Sequence, residues 1–181
     1  TIDDSVGESF DKVSKLLGFG YPGGPIVEEK STHGNSQRFA LPRPLCNKYS
    51  YDFSFSGLKT AARIIFEKYK TPQDKIDLCA SFQGAVVDVL VYKMKQAIEI
   101  CREKSIKITA AVIAGGVAAN KMIRTEVKNV CDQYELPFWA PPIYLCTDNG
   151  AMIAWLGIEK LMINQENNIK FSPRPQWPLG E

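Results

Sequence analysis

Histidine is all but missing from this chain: His33 is the only one in 181 residues. A Ser-His-Asp or Cys-His nucleophile set would therefore have to be built on His33 alone, which disfavours nucleophilic hydrolysis. There is no HExxH helix either, which argues against a zinc protease. His33 stands in a polar loop beside Gly34 with no second donor close by, the setting of a solvated side chain. A metal site complete within this chain is not expected. Paired cysteines are lacking as well. Cys46, Cys79, Cys101, Cys131 and Cys146 form no CxxC and no close pair, and an odd, scattered set reads as reduced thiols of a cytosolic protein. Neither sign of charge dominates. Lys and Arg number 22 against 20 Asp and Glu, a net charge of +2, so nothing suggests non-specific binding to nucleic acid or membrane. Any contact with a nucleic acid would need a local patch or a partner. No apolar run reaches transmembrane length. The P-loop, solenoid-period repeats and low-complexity tracts are absent too.

What remains is an ordinary globular composition, 45% hydrophobic and 23% charged. The chain opens at Thr1 on a helix-start signal, and the expectation is a piece of a longer protein. Asp3 or Asp4 should cap a helix running to Leu17, with Val6, Phe10, Val13 and Leu17 on one face and Gly18 as the stop. Gly20 to Pro25 reads as a turn, with a short helix from Ile26 to Glu29 beyond it. Its bare backbone suits close approach of a ligand, or it is a tight turn only. Ser31 to Asn47 should be a loop with a short strand at Arg38 to Leu41. Tyr51 to Phe55 alternates apolar and polar residues like a half-buried strand. Gly57 leads into a helix carrying Leu58, Ala61, Ile65 and Tyr69. Thr71, Pro72 and Asp74 give N-cap, N1 proline and N3 acid to a long helical pattern reaching Lys104, with a kink or break expected at Gly84. From Asn164 the chain is a polar, proline-rich tail with Phe171 and Trp177 as anchors.

The most informative stretch is Ala111 to Trp155. Ile108 to Ala114 is a β-branched run ending at Gly115-Gly116, the pattern of a buried parallel strand. Asn120 to Glu135 carries Ile123, Val127, Val130 and Tyr134 at helical spacing. Pro137 to Cys146 is an apolar strand with a bend at Pro141-Pro142. Thr147 should then cap a last helix with Asp148 as its first residue. This is an α/β pattern, and such sheets bind ligands at the carboxyl ends of their strands. Asp148 reads either as a first-turn acid serving the helix dipole or as a hard oxygen ligand for a metal. Asn120 reads as a helix cap or as a contact to purine or ribose. Asp11 flanks the apolar face of the first helix, either solvated and paired with Lys15 or part of a site. The expectation is that Asp148, Asn120, Asp11 and Gly24 border one pocket.

Four segments, taken together and in order, carry more than any one residue: TIDDSVGESFDKVSKLLGFGYPGGP, YDFSFSGLKTA, AGGVAANKMIR and APPIYLCTDNGAMIAWLG. They resemble the signatures of the tRNA threonylcarbamoyladenosine synthase transferase subunit, a family once labelled O-sialoglycoprotein endopeptidase or glycoprotease. The resemblance spans essentially all 181 residues and is nearest the bacterial branch, which implies a cytoplasmic protein. It implies the actin, sugar-kinase and heat-shock-ATPase fold, which is ribonuclease H-like, with two α/β lobes around a nucleotide cleft. Of these the chain would be one lobe, a mixed sheet with flanking helices, lacking the N-terminal lobe. Residues 1–163 would form that lobe, with a helical insertion within 1–105, and residues 164–181 a tail.

The activity implied is acyl transfer: threonylcarbamoyl moves from threonylcarbamoyl-AMP to N6 of the adenosine 3′ to the anticodon in tRNAs reading codons that begin with A. Family motifs place Asp11, Gly24, Glu28 and Asn120 against the substrate nucleotide, and Asp148 on a divalent metal, iron or zinc. The metal's other ligands are two histidines of an HxxxH helix, and this sequence has none. The family's Ser-Gly-Gly-His-Thr loop is missing as well. The isolated chain is therefore expected to lack transferase activity. Implied partners are tRNA, a scaffold paralogue, a small P-loop ATPase and the enzyme that makes the adenylate. The competing readings are a sugar-kinase-like ATPase of the same fold and the non-catalytic scaffold itself.

Overall fold

A computed structural model describes residues 1–47, 50–165 and 172–173 of the chain. The expected anchors Phe171 and Trp177 lie outside the described residues. The chain divides into two compact units, Thr1–Thr147 and Asp148–Glu181.

In the first unit, α1 (Val6–Leu17) buries Phe10, Val13 and Leu17 and ends at Gly18, whose φ of 80° is the left-handed stop expected there. The cap is Ser5, which accepts the Glu8 N–H, and not Asp3 or Asp4. Asp3 is used elsewhere. Its carboxylate accepts the Phe55 N–H at 2.8 Å and the Ser54 and Ser56 hydroxyls at 2.5 and 2.7 Å. It thereby holds the start of α3 (Ser56–Lys68), which has no side-chain cap of its own. Partial desolvation pushes the Asp3 carboxyl up. The bonds from Ser54, Phe55 and Ser56 outweigh it and hold the group well below the usual carboxylate range. A carboxyl depressed on folding stabilises the fold above its unfolded value, about 3.9, and that contribution is lost as pH falls toward the folded value. Urea midpoints should therefore drop as pH is lowered through about 4, and Asp3→Asn, which does not titrate, should flatten that drop. Equal slopes for the two proteins would refute the assignment.

The next element is α2 (Gly23–Ser31), which starts three residues before the expected Ile26. The long pattern is one helix, α4 (Pro72–Glu103), opened by the Thr71/Asp74 capping box. It runs through Gly84 without a break. It is the floor of the core, and Leu78, Cys79, Phe82, Ala85, Val86 and Val89 are all buried. Cys79 is pushed up to about 12 by burial, so it packs as an inert thiol. None of the five cysteines is bridged.

The strands are where sequence and structure part. Ile108–Ala114 contracts to β1 (Ala111–Val112), and Pro137–Cys146 to β2 (Phe138–Trp139) plus a 3₁₀ turn at Ile143–Leu145. The two pair in parallel, Ala111 with Phe138 and Val112 with Trp139. Among the described residues the sheet has these two strands. Extended backbone counts as strand only where a neighbour completes the ladder. Arg38–Leu41 and Tyr51–Phe55 fail that condition and are not strands. Phe39 donates its N–H to Ser81 Oγ on α4, and Phe53 O accepts the Ile2 N–H. Their apolar residues still point inward, with Phe39, Leu41 and Phe55 buried.

After β1 comes a 3₁₀ turn, Gly116–Ala119, then α5 (Lys121–Gln133), which buries Ile123, Val127, Val130 and Cys131. In the second unit, α6 (Gly150–Met162) is capped by Asn149, which accepts the Met152 N–H at 3.0 Å. The expected cap, Thr147, and the expected first helical residue, Asp148, both precede the helix. Asn competes well for the N-cap because its short amide oxygen reaches the N3 amide. Among the described residues no helix is long and apolar enough to cross a membrane.

Candidate functional site

The first unit contains a cavity of about 510 Å³ where three helix starts meet. Ser5, Val6 and Gly7 bring the start of α1, Pro22, Gly24 and Pro25 that of α2, and Asn120 that of α5. Helix N-termini carry partial positive charge, which favours an anionic group beside them. Gly115, at φ 80°, and Gly116 form a further stretch of its wall, and a Cβ at either would meet nothing within 4 Å. The backbone there is open to a ligand.

Two carboxylates face the same space, and each is fixed by a helix it does not belong to. Asp11 on α1 accepts the Gly23 N–H at 2.7 Å, serving α2, whose own N-cap is Pro22 and offers no side-chain bond. Gly23 has to be glycine for this, since a Cβ would lie 2.5 Å from the Asp11 Cα. Glu28 on α2 accepts the Lys121 N–H at 2.7 Å at the start of α5. Each carboxylate thus spends one oxygen on structure. Asp11 is committed to Gly23 rather than to the Lys15 pairing its helix position offered.

Asn120 is buried and does two things. Its Oδ1 caps α5 by accepting the Ile123 N–H at 3.0 Å, and its Nδ2 donates to Gln83 Oε1 at 2.8 Å. Gln83 itself is buried on α4 and was not singled out by sequence. The available signal was an amide inside an apolar stripe, between Phe82 and Val86. The turn between β2 and the second unit is tied down by Arg124. Its guanidinium donates to Ala118 O and Pro141 O and lies 3.0 Å from Cys146 Sγ. Thr147, which follows Cys146, is the last residue of the cavity wall.

Asp11, Gly24, Glu28 and Asn120 therefore line one cavity. Asp148 begins the second unit and is exposed. His33 is exposed in its loop and is not among the lining residues. Among the described residues no three His, Cys, Asp or Glu side chains are grouped to hold a metal ion.

The profile of the family described as "TsaD: tRNA N6-adenosine threonylcarbamoyltransferase" matches residues 1–155. The chain belongs to that family. A tRNA N6-adenosine threonylcarbamoyltransferase of Methylorubrum populi is 51% identical over 183 residues, covering 100% of this chain and 53% of the relative. The one from Rhodospirillum rubrum is 49% identical over 183 residues, with 99% and 51% covered. The one from Paramagnetospirillum magneticum is 46% identical over 182 residues, with 99% and 52% covered. The chain spans about half the length of the curated relatives it matches. The family match takes in every residue of the cavity wall, from Ser5 to Thr147.

Proposed function

We propose that this chain is part of a tRNA N6-adenosine threonylcarbamoyltransferase, and that its cavity holds the adenylate of the threonylcarbamoyl donor. The observation that carries the reading is the convergence of three helix starts, the Gly115-Gly116 turn and two half-engaged carboxylates on one space. Amides at helix starts and at the glycine turn suit a phosphate. Carboxylates with one oxygen free suit ribose hydroxyls, and we assign Asp11 and Glu28 to them. The remaining Nδ2 hydrogen of Asn120 suits an acceptor on sugar or base. Gly24, with nothing within 4 Å of its Cβ position, lets the ligand approach the backbone.

The chemistry asked of such a site is modest in one respect. An acyl adenylate is a mixed anhydride and is already activated, so no enzymic nucleophile is required. The N6 amine of adenine is a weak nucleophile, so orientation and charge stabilisation must supply the acceleration. Rigid placement of the donor by helix starts meets the first need, and their positive ends favour negative charge released on AMP as the anhydride opens.

The family's metal is a separate matter. Asp148 would supply one carboxylate, but one exposed carboxylate does not make a site, and the described residues offer no other ligands grouped for it. By themselves the described residues do not fit a resident iron or zinc ion. In a protein of the relatives' length we place the remaining ligands outside these residues. The same reading carries the actin-like two-lobed fold, a cytoplasmic setting, and as partners tRNA, a scaffold paralogue and a small P-loop ATPase. The mixed charge fits a protein that meets tRNA with help.

The test is a chimera in which these residues replace the matching segment of the Methylorubrum populi relative. With threonylcarbamoyl-AMP, tRNA and the partner subunits supplied, it should form threonylcarbamoyladenosine in tRNA, and Asn120→Ala should reduce the rate. A folded chimera that binds tRNA yet makes no product would overturn the proposal.

A further inference from the structure

The mouth of the cavity carries an aromatic ring that the fold does not use. Tyr21 lines the cavity yet is 81% exposed. Its backbone is held on both sides. Ser14 Oγ donates to Gly20 O at 2.8 Å, and Gly23 donates its N–H to Asp11 Oδ1 at 2.7 Å. Gly23 also seats directly on the backbone of Phe10 and Asp11. The turn therefore presents the ring to solvent from a fixed base. So little of the ring is covered that it adds little to stability by burial. Phe10, the other aromatic in the wall, is 2% exposed and engaged edge-on with Phe82, so it is not available to a ligand.

We propose that Tyr21 is the stacking platform for the nucleobase of the ligand in this cavity. The inference rests on the reading of the cavity as a nucleotide site. It adds a residue that serves the base, where the carboxylates and amides serve sugar and phosphate. Base–aromatic stacking needs only a π-face, so it contributes affinity without choosing among bases. The choice of adenine is left to groups that meet the base edge, of which Asn120 is the buried candidate.

The experiment is calorimetric titration of this chain with AMP and with ribose 5-phosphate, which shares the sugar and phosphate but has no base. Tyr21→Ala should weaken AMP roughly tenfold or more and leave ribose 5-phosphate unchanged. Tyr21→Phe and Tyr21→Trp should keep AMP binding near that of the parent. Because the side chain is exposed, the urea midpoint should not move. AMP binding by Tyr21→Ala equal to the parent would overturn the platform while leaving the nucleotide site standing. So would equal loss of both ligands. A parent chain that binds neither ligand would overturn the nucleotide reading, and the platform with it.

Discussion

Phe82→Ala should cost about 3–5 kcal/mol of stability, the range for deleting a large aromatic from a packed core. Phe82 is fully buried in the first half of α4, and its ring meets Phe10 edge-on at 5.1 Å and 83°. That contact joins the floor of the core to the helix that carries Asp11. Removing it leaves a cavity lined by the rigid α1 and α4, which cannot collapse without moving the helix start at Ser5 and Gly7. Against a total of about 5–15 kcal/mol for a domain, the loss is a large fraction. Urea denaturation should show a lower midpoint with an unchanged slope. A loss below about 1 kcal/mol would mean that the core re-forms around alanine and that the α1–α4 contact is not what sets the site.

Gly23→Ala should be the most damaging single-methyl change at the site. The added Cβ would lie 2.5 Å from Asp11 Cα and 2.6 Å from Phe10 O, both backbone atoms that cannot rotate away. Helices α1 and α2 would have to separate, at about 1–3 kcal/mol or more for the overpacking. The Asp11–Gly23 bond would lengthen with them, a further loss of about 1 kcal/mol. Gly24→Ala is the matched control. Nothing lies within 4 Å of its Cβ position, so the fold should tolerate it within about 0.5 kcal/mol. Its methyl group would instead occupy space at the cavity wall and weaken a bound nucleotide. Urea melts of the two variants side by side separate the effects, and equal stability would contradict the close packing of α2 on α1.

Helices were legible in the sequence because their evidence is local. The α1 face, the Gly18 stop and the Thr71/Asp74 box each need only residues within a turn or two, and each is present as read. Strands were not, because a strand requires a partner distant in sequence. Arg38–Leu41 and Tyr51–Phe55 have the right alternation, and the alternation does report burial of Phe39, Leu41 and Phe55. Their backbone bonds go to Ser81 and Ile2 instead of to a ladder. Caps fell between the two. At the start of α1 and of α6 several Ser, Thr, Asp and Asn residues compete within a few positions, and spacing alone does not choose among them. Of the candidate site, Asp11, Gly24, Glu28 and Asn120 were found through motifs. Gln83 and Tyr21 were not, since one acts through Asn120 and the other is identified only by its exposure at a cavity that the sequence does not draw.

We propose that the start of α2, the Gly115-Gly116 turn and the start of α5 form one nucleotide site. Amide NMR of the chain titrated with AMP tests it most directly. Saturable shifts concentrated at Gly24, Gly115, Gly116 and Asn120, and weakened by Asp11→Ala, are the predicted result. Shifts confined to other surfaces, or none at millimolar AMP, would contradict it.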